Sequence, residues 1–190
     1  FSAEPSELYS QRIRYWLDVV IEVAGLSVAP SLSAGILQLI YLLQAKEFAG
    51  QERAHGVIAL SGKCDGQPLA EQLAVLQCAQ QQNLQALWPL LSAECRERFV
   101  PQFADAHHDQ FSQLRQLMKG LCDHNQASPA LADIWFQLAS TRIDIMHALM
   151  AELLGDLTAQ LQASRRYCDL QRQQLKHHEA AIELPSSGSL

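Results

Sequence analysis

Nowhere in the 190 residues is there an uncharged apolar run of the roughly 18 residues that a single helix needs to cross a bilayer. The start of the chain lacks a basic stretch followed by an apolar one, so no secretory leader pattern is present either. The five cysteines, at 64, 78, 95, 122 and 168, are odd in number and contain no C-x-x-C pair. That argues against a disulfide framework and against a zinc ribbon. Reduced thiols in a cytoplasmic protein are the simplest reading. Glycine (nine) and proline (seven) are too few for a collagen-like or low-complexity chain, and 48% hydrophobic residues are too many for a disordered one. With 14 Lys+Arg against 20 Asp+Glu the net charge is −6. A surface that grips a duplex normally carries a basic excess, so direct nucleic-acid contact is not expected. No glycine-rich phosphate loop follows a strand, which leaves no ordinary nucleotide site. The chain begins at Phe1 rather than Met, and we expect residues upstream of it.

Helical periodicity is what the chain does have. Apolar residues recur every three or four positions, and no alternating strand pattern bounded by hairpin turns occurs. The expectation is an all-α fold, an antiparallel helical bundle with a long C-terminal helix. A first helix is predicted from about Glu7 to Ala24, closed by Gly25 and Pro30, and a second from a cap at Ser31 or Ser33 through Leu60. A third is expected to start at Gln67–Pro68 and reach Leu87 before Pro89. Pro101 is expected to split residues 92–122 into a short helix and a longer one. The last helix has Ser128 as cap, Pro129 in its first turn and no stop before Leu184–Pro185. Leu, Ile and Met thin out beyond Leu161, where Gln, Arg, Lys and His take over. This divides the chain into a bundle over 1–161, a helical linker over 162–184 and a flexible tail over 185–190.

Residues 39–60 stand out. Every third or fourth residue from Leu39 gives Leu39, Leu42, Lys46, Ala49, Arg53, Gly56 and Leu60, an apolar or small-residue stripe interrupted by two cations. Gly56 inside a helix costs about 1 kcal/mol relative to Ala, a sacrifice that calls for a reason. Ala49, Gly50 and Gly56 leave room beside Arg53, whose planar guanidinium presents paired N–H donors suited to a planar oxyanion. Lys46, two turns away, is the weaker candidate. One reading is an anion pocket. The other is a salt bridge from Arg53 to Glu47, Glu52 or a carboxylate on another helix, with the stem packed and the head in water.

The same run, Leu43-Gln44-Ala45-Lys46-Glu47-Phe48-Ala49-Gly50-Gln51-Glu52-Arg53-Ala54-His55-Gly56, resembles the signature of the nitrate- and nitrite-sensing (NIT) domain, most closely as it occurs in nitrate-responsive transcription antitermination of enteric bacteria. Weaker similarity continues over Leu84–Val100, Phe111–Leu117, Trp135-Phe136 and Arg142–Leu157. The match corresponds to the later part of such a domain. The resemblance implies two packed helical bundles with one nitrate- or nitrite-binding arginine from each, and Arg53 matches the later of these. It also implies no enzymatic activity, and an output such as an RNA-binding antitermination domain, a kinase or a cyclase. Nitrate or nitrite is then the ligand, an output domain or protein the partner, and a homodimer is compatible with the long helix.

Other constellations are weaker. His107 and His108, with Asp105 and Asp109, point about 100° apart on a helix and lack an H-x-x-x-H partner, so no metal is expected. Cys122 and His124 lack a positioned acid, and His177-His178-Glu179 reads as solvated surface. No cofactor is implied. Two rival readings are a scaffold or dimerisation bundle built on residues 129–184 and a metal- or cofactor-binding bundle.

Overall fold

The computed structural model describes residues 15, 30–61, 67–103, 106–123 and 128–182. The described elements are α1 (Pro30–Leu60), α2 (Gln67–Leu87), a single 3-10 turn (Trp88–Leu90), α3 (Ala93–Phe103), α4 (Ala106–Asp123) and α5 (Pro129–Ile182). Helix is the only regular structure among them. The helix expected over Glu7–Ala24 lies outside the described residues, apart from Tyr15, which is helical.

Proline sets two of the starts. Both α1 and α5 begin on one, at Pro30 and Pro129, where the missing N–H costs nothing and the fixed φ already suits a helix. Ser31 and Ser33 therefore sit inside the first turn of α1 and are not its cap. At the head of α5, the Leu131 N–H bonds the Ser128 carbonyl at 2.9 Å. The region splits into a short helix and a longer one as expected, α3 and α4, but Pro101 itself lies in the last turn of α3, which ends at Phe103. A proline near the end of a helix deletes one backbone bond and disturbs few neighbours.

The helices run up, down, up and down, with α3 and α4 together supplying the third pass. Pairings along α1 and α5 show the antiparallel sense: Gly35 beside Leu157, Lys46 beside His147, Arg53 beside Ser140, and the Ser128 N–H bonded to the Leu60 carbonyl. Glycine matters at the first of these, where a Cβ on Gly35 would stand 3.0 Å from Leu157 Cδ1.

Two apolar clusters hold the bundle. The larger joins Leu42, Ala45 and Ala49 of α1 to Leu87, Phe99 and Met146 from the other passes. The second closes the far end around Leu60, Phe111, Met118 and Trp135. Fully burying a Leu- or Met-sized side chain is worth about 1.5–3 kcal/mol, and Leu42, Leu87, Met146 and Leu149 are all completely enclosed. Beyond Leu157 the packing ends, and every residue from 158 to 177 is exposed. The helix nevertheless continues, so that its 54 residues extend about 80 Å at 1.5 Å each.

Among the described residues no helix is long and apolar enough to cross a membrane.

Candidate functional site

Five of the seven predicted stripe positions on α1 are buried, Leu39, Leu42, Ala49, Gly56 and Leu60, and Ala45, Glu52 and Ala59 are buried beside them, whereas Lys46 and Arg53 are only half-buried. One residue is a turn of about 100°, so Lys46 and Arg53 stand at the edge of the stripe, at the junction with α5, and Glu52 takes the interior position.

Glu52 is 1% exposed. Its carboxylate accepts the Arg115 fork from α4, Nε to Oε1 at 2.7 Å and Nη2 to Oε2 at 2.6 Å, and the Gln80 amide of α2 at 2.5 Å. A bidentate pair with a further donor offsets much of the cost of burying the carboxylate. The Arg115 guanidinium lies 4.4 Å above the Phe111 ring, which in turn stacks on Trp135 at 4.7 Å.

Trp135 explains Gly56. The indole is fully buried and lies flat against α1, donating Nε1–H to the Arg53 carbonyl at 3.0 Å. A Cβ at Gly56 would collide with it. The space at Gly56 thus belongs to the core and is not open to a ligand. Ala49 is likewise in the core, packed in the larger cluster. Gly50 differs, since a Cβ there would meet nothing within 4 Å.

Arg53 is half-buried on the α1–α5 seam. Its Nη1 donates to Ser140 Oγ at 3.0 Å, and its guanidinium carbon sits 4.9 Å above the half-exposed Phe136 ring. Among the described residues it forms no ion pair. Glu52, the obvious candidate, is committed to Arg115, while Glu47 accepts from Gln51 at 2.8 Å. Two turns earlier on the same seam, Lys46 Nζ is 3.2 Å from His147 Nδ1. The structure therefore sets Lys46, Gly50 and Arg53 along one seam and takes Ala49 and Gly56 into the interior.

Arg142 is the residue that the sequence reading passed over. It falls in the α5 stripe Trp135, Ala139, Arg142, Met146, Leu149 and Leu153, a cation among residues that are otherwise buried and apolar. The same interruption had drawn attention to Arg53. Its guanidinium lies 5.1 Å from the Phe103 ring and 5.8 Å from Phe111. Burial, with Arg115 close by, pulls its pKa down to about 10, against some help from Glu52. Arg142 Nε and Gln80 Oε1 are buried without a hydrogen-bond partner.

The remaining candidates hold nothing together. No group of three His, Cys, Asp or Glu among the described residues is placed to hold a metal. Asp109 is exposed, and the side chains of Asp105, His107, His108, Cys122 and His124 lie outside the described set. Cys78, Cys95 and Cys168 are free thiols.

The family model for nitrate and nitrite sensing matches residues 2–158, and the chain belongs to that family. No curated protein and no solved structure matches it.

Proposed function

We propose that this protein senses nitrate or nitrite at Arg53 and passes the occupancy of that site along α5 to an output module in transcription antitermination or another signalling pathway. The observation that carries the reading is the position of Arg53, a guanidinium on the seam between α1 and α5 with no ion pair among the described residues. Its remaining N–H donors, beyond the one given to Ser140, suit the in-plane oxygens of a nitrate or nitrite ion. Gly50 leaves open space one turn away, and Lys46 is the second cation of the same seam. Ala49 and Gly56 act behind the site: Ala49 fixes the packing of α1, and Gly56 admits the indole that bonds the Arg53 carbonyl.

The architecture supports a relay through α5. The helix that carries Ser140 and Phe136 beside Arg53 is the one that leaves the bundle beyond Leu157. An anion that binds one register of α1 against α5 more tightly than another shifts the balance between them by its differential affinity, and no further. The output, on this reading, is an RNA-binding, kinase or cyclase module joined through residues 162–184. The family is one of sensing domains, which supports a binding role for the seam. The module acts in the cytoplasm, where its thiols stay reduced.

A homodimer through the linker has an observation of its own. Leu154, Leu161, Cys168 and Leu175 are exposed at seven-residue spacing along α5, the period of a coiled-coil seam. Dimerisation complements the sensing role.

The test is thermal unfolding in nitrate and in chloride at equal ionic strength. Nitrate at about 100 times its dissociation constant adds about 2.7 kcal/mol, and chloride should not. Equal shifts in the two salts, with Arg53→Lys behaving like the unsubstituted chain, would overturn the reading.

A further inference from the structure

A second cationic site lies on the far side of Arg142 from the Arg53 seam. A cavity of about 630 Å³ opens between α2, the 3-10 turn, α4 and α5. Arg115, Arg142 and Gln80, with Ser112 and three further glutamines of α2, supply its polar wall, and Leu84, Trp88 and Phe103 of α2, the 3-10 turn and α3 form an apolar patch in it. Trp88 and Phe103 meet edge to face at 5.2 Å, which makes that patch aromatic.

Among the described residues, the charges lining this cavity do not balance: two guanidinium groups share one carboxylate, and both oxygens of Glu52 are already taken by Arg115 and Gln80. Among the described residues no ion pair reaches Arg142. A cation held among aromatic rings, with its nearest carboxylate already paired to another arginine, is costly, and burial with Arg115 close by pulls the pKa of Arg142 down to about 10. Two buried polar atoms of this wall, Arg142 Nε and Gln80 Oε1, have no partner, although nearly all buried polar groups find one. Gln80 is 1% exposed, and its amide cannot turn over to satisfy Oε1 without losing the bond to Glu52.

We propose that this cavity binds a small organic monocarboxylate, its carboxylate on Arg142 and an apolar or aromatic body against Trp88, Leu84 and Phe103. A single negative charge restores neutrality to two cations and one carboxylate, and a planar carboxylate matches the guanidinium fork. The size and the aromatic patch call for more than a bare oxyanion, since cavities of roughly 300–1,000 Å³ are those that enclose organic ligands. Gln80 Oε1 accepts a hydroxyl or N–H of the ligand, or an ordered water. This site is separate from the proposed nitrate seam: Arg142 is two residues beyond Ser140 on α5, about 200° round the helix.

Calorimetric titration of the whole chain with benzoate tests it, with acetate, benzyl alcohol and nitrate as the other probes. Benzoate is expected to bind saturably, one per chain, and about tenfold or more tightly than acetate or the uncharged alcohol. Arg142→Met should weaken benzoate by about tenfold or more. Cys78→Trp, which fills the exposed rim of the cavity and leaves Arg142 alone, should do the same and decides the matter if Arg142→Met fails to fold. Arg53→Lys should leave benzoate binding unchanged while abolishing any nitrate response, so the two sites fail separately. Absence of saturable benzoate binding, equal binding of benzyl alcohol, or benzoate binding that survives both Arg142→Met and Cys78→Trp would overturn the proposal. So would nitrate competing at Arg142 as strongly as benzoate, which would mark the cavity as a site for bare oxyanions.

Discussion

Glu52 and Arg53 are neighbours in the chain and opposites in the fold. Glu52 is enclosed and held by three hydrogen bonds from two other helices, whereas Arg53 keeps one bond to Ser140 and a half-exposed ring beneath it. A step of about 100° round one helix separates an interior position from a seam. The Gln-Glu-Arg-Ala-x-Gly run therefore carries two tasks. Glu52 and Gly56 fix α1 against α4 and α5, and that fixing holds Arg53 in place. Substitutions on the inner face should cost stability, and those on the seam should cost binding.

The contrast is most strongly tested at Arg115. Replacing it with Met leaves the Glu52 carboxylate buried beside a single amide, and breaking a buried pair in this way costs about 3–5 kcal/mol. Denaturant unfolding of Arg115→Met measures it. A loss below 1 kcal/mol would show that water reaches Glu52 and that the inner face is less closed than described.

Gly56→Ala comes next. Its methyl group gains about 1 kcal/mol of helix propensity but meets the Trp135 indole, and overpacking of a filled core costs about 1–3 kcal/mol. A net loss is expected by the same measurement. A net gain would mean that the indole swings away freely, and with it the bond to the Arg53 carbonyl.

Cys95 sharpens the comparison from the interior side, where it packs in the cluster that holds Ala45 and Ala49. Burial first, then the charge of Glu152, pushes its thiol up from 9.0 to about 11. The folded chain thus keeps a proton that the unfolded chain gives up. This contribution to stability is fully present below pH 9 and is lost as the pH rises toward about 11. Replacing Cys95 with Ala should flatten the fall in stability over that window. The same burial makes Cys95 slower to alkylate than the exposed Cys78 and Cys168.

The smallest effect is expected at the end of α5. Residues 158–177 are exposed throughout. Ending the chain after Leu161 should leave the melting temperature of the bundle nearly unchanged, because a helix draws most of its stability from burial. A large drop would show that this segment stabilises the bundle, by packing on it or by pairing with a second copy.

The fold was legible where proline and apolar spacing coincide. Gln67, Leu87 and Pro129 fall where the sequence places them, because each stands at a proline that limits the helix. The split near Pro101 was legible as well, with the end of α3 displaced to Phe103 because a proline in a final turn is tolerated. On α1 the apolar and small members of the stripe, Leu39, Leu42, Ala49, Gly56 and Leu60, are buried as expected, and only its two cations stand at the edge, with Ala45 and Glu52 taking the interior positions beside them. Gly56 was visible as an anomaly, but its cause, an indole arriving from a helix 79 positions later, is a tertiary fact. Arg142 carried a signal as clear as that of Arg53, a cation in the line from Trp135 to Leu153, and only spacing along α5 was needed to find it. That Arg115, among several carboxylates and arginines, is the partner of Glu52 could not be read from one dimension.

The central claim, that Arg53 holds the anion and Glu52 holds the fold, is tested most directly by measuring nitrate binding and unfolding free energy together for Arg53→Lys and Arg53→Ala. Lysine keeps the charge but lacks the planar fork, and neither variant exposes a buried partner. Both are expected to unfold within about 1 kcal/mol of the unsubstituted chain, as substitutions outside the core generally do, and to lose the stabilisation by nitrate over chloride. A chain that still responds to nitrate without Arg53, or one that loses about 3–5 kcal/mol in Arg53→Ala as a broken buried pair would, would contradict the account.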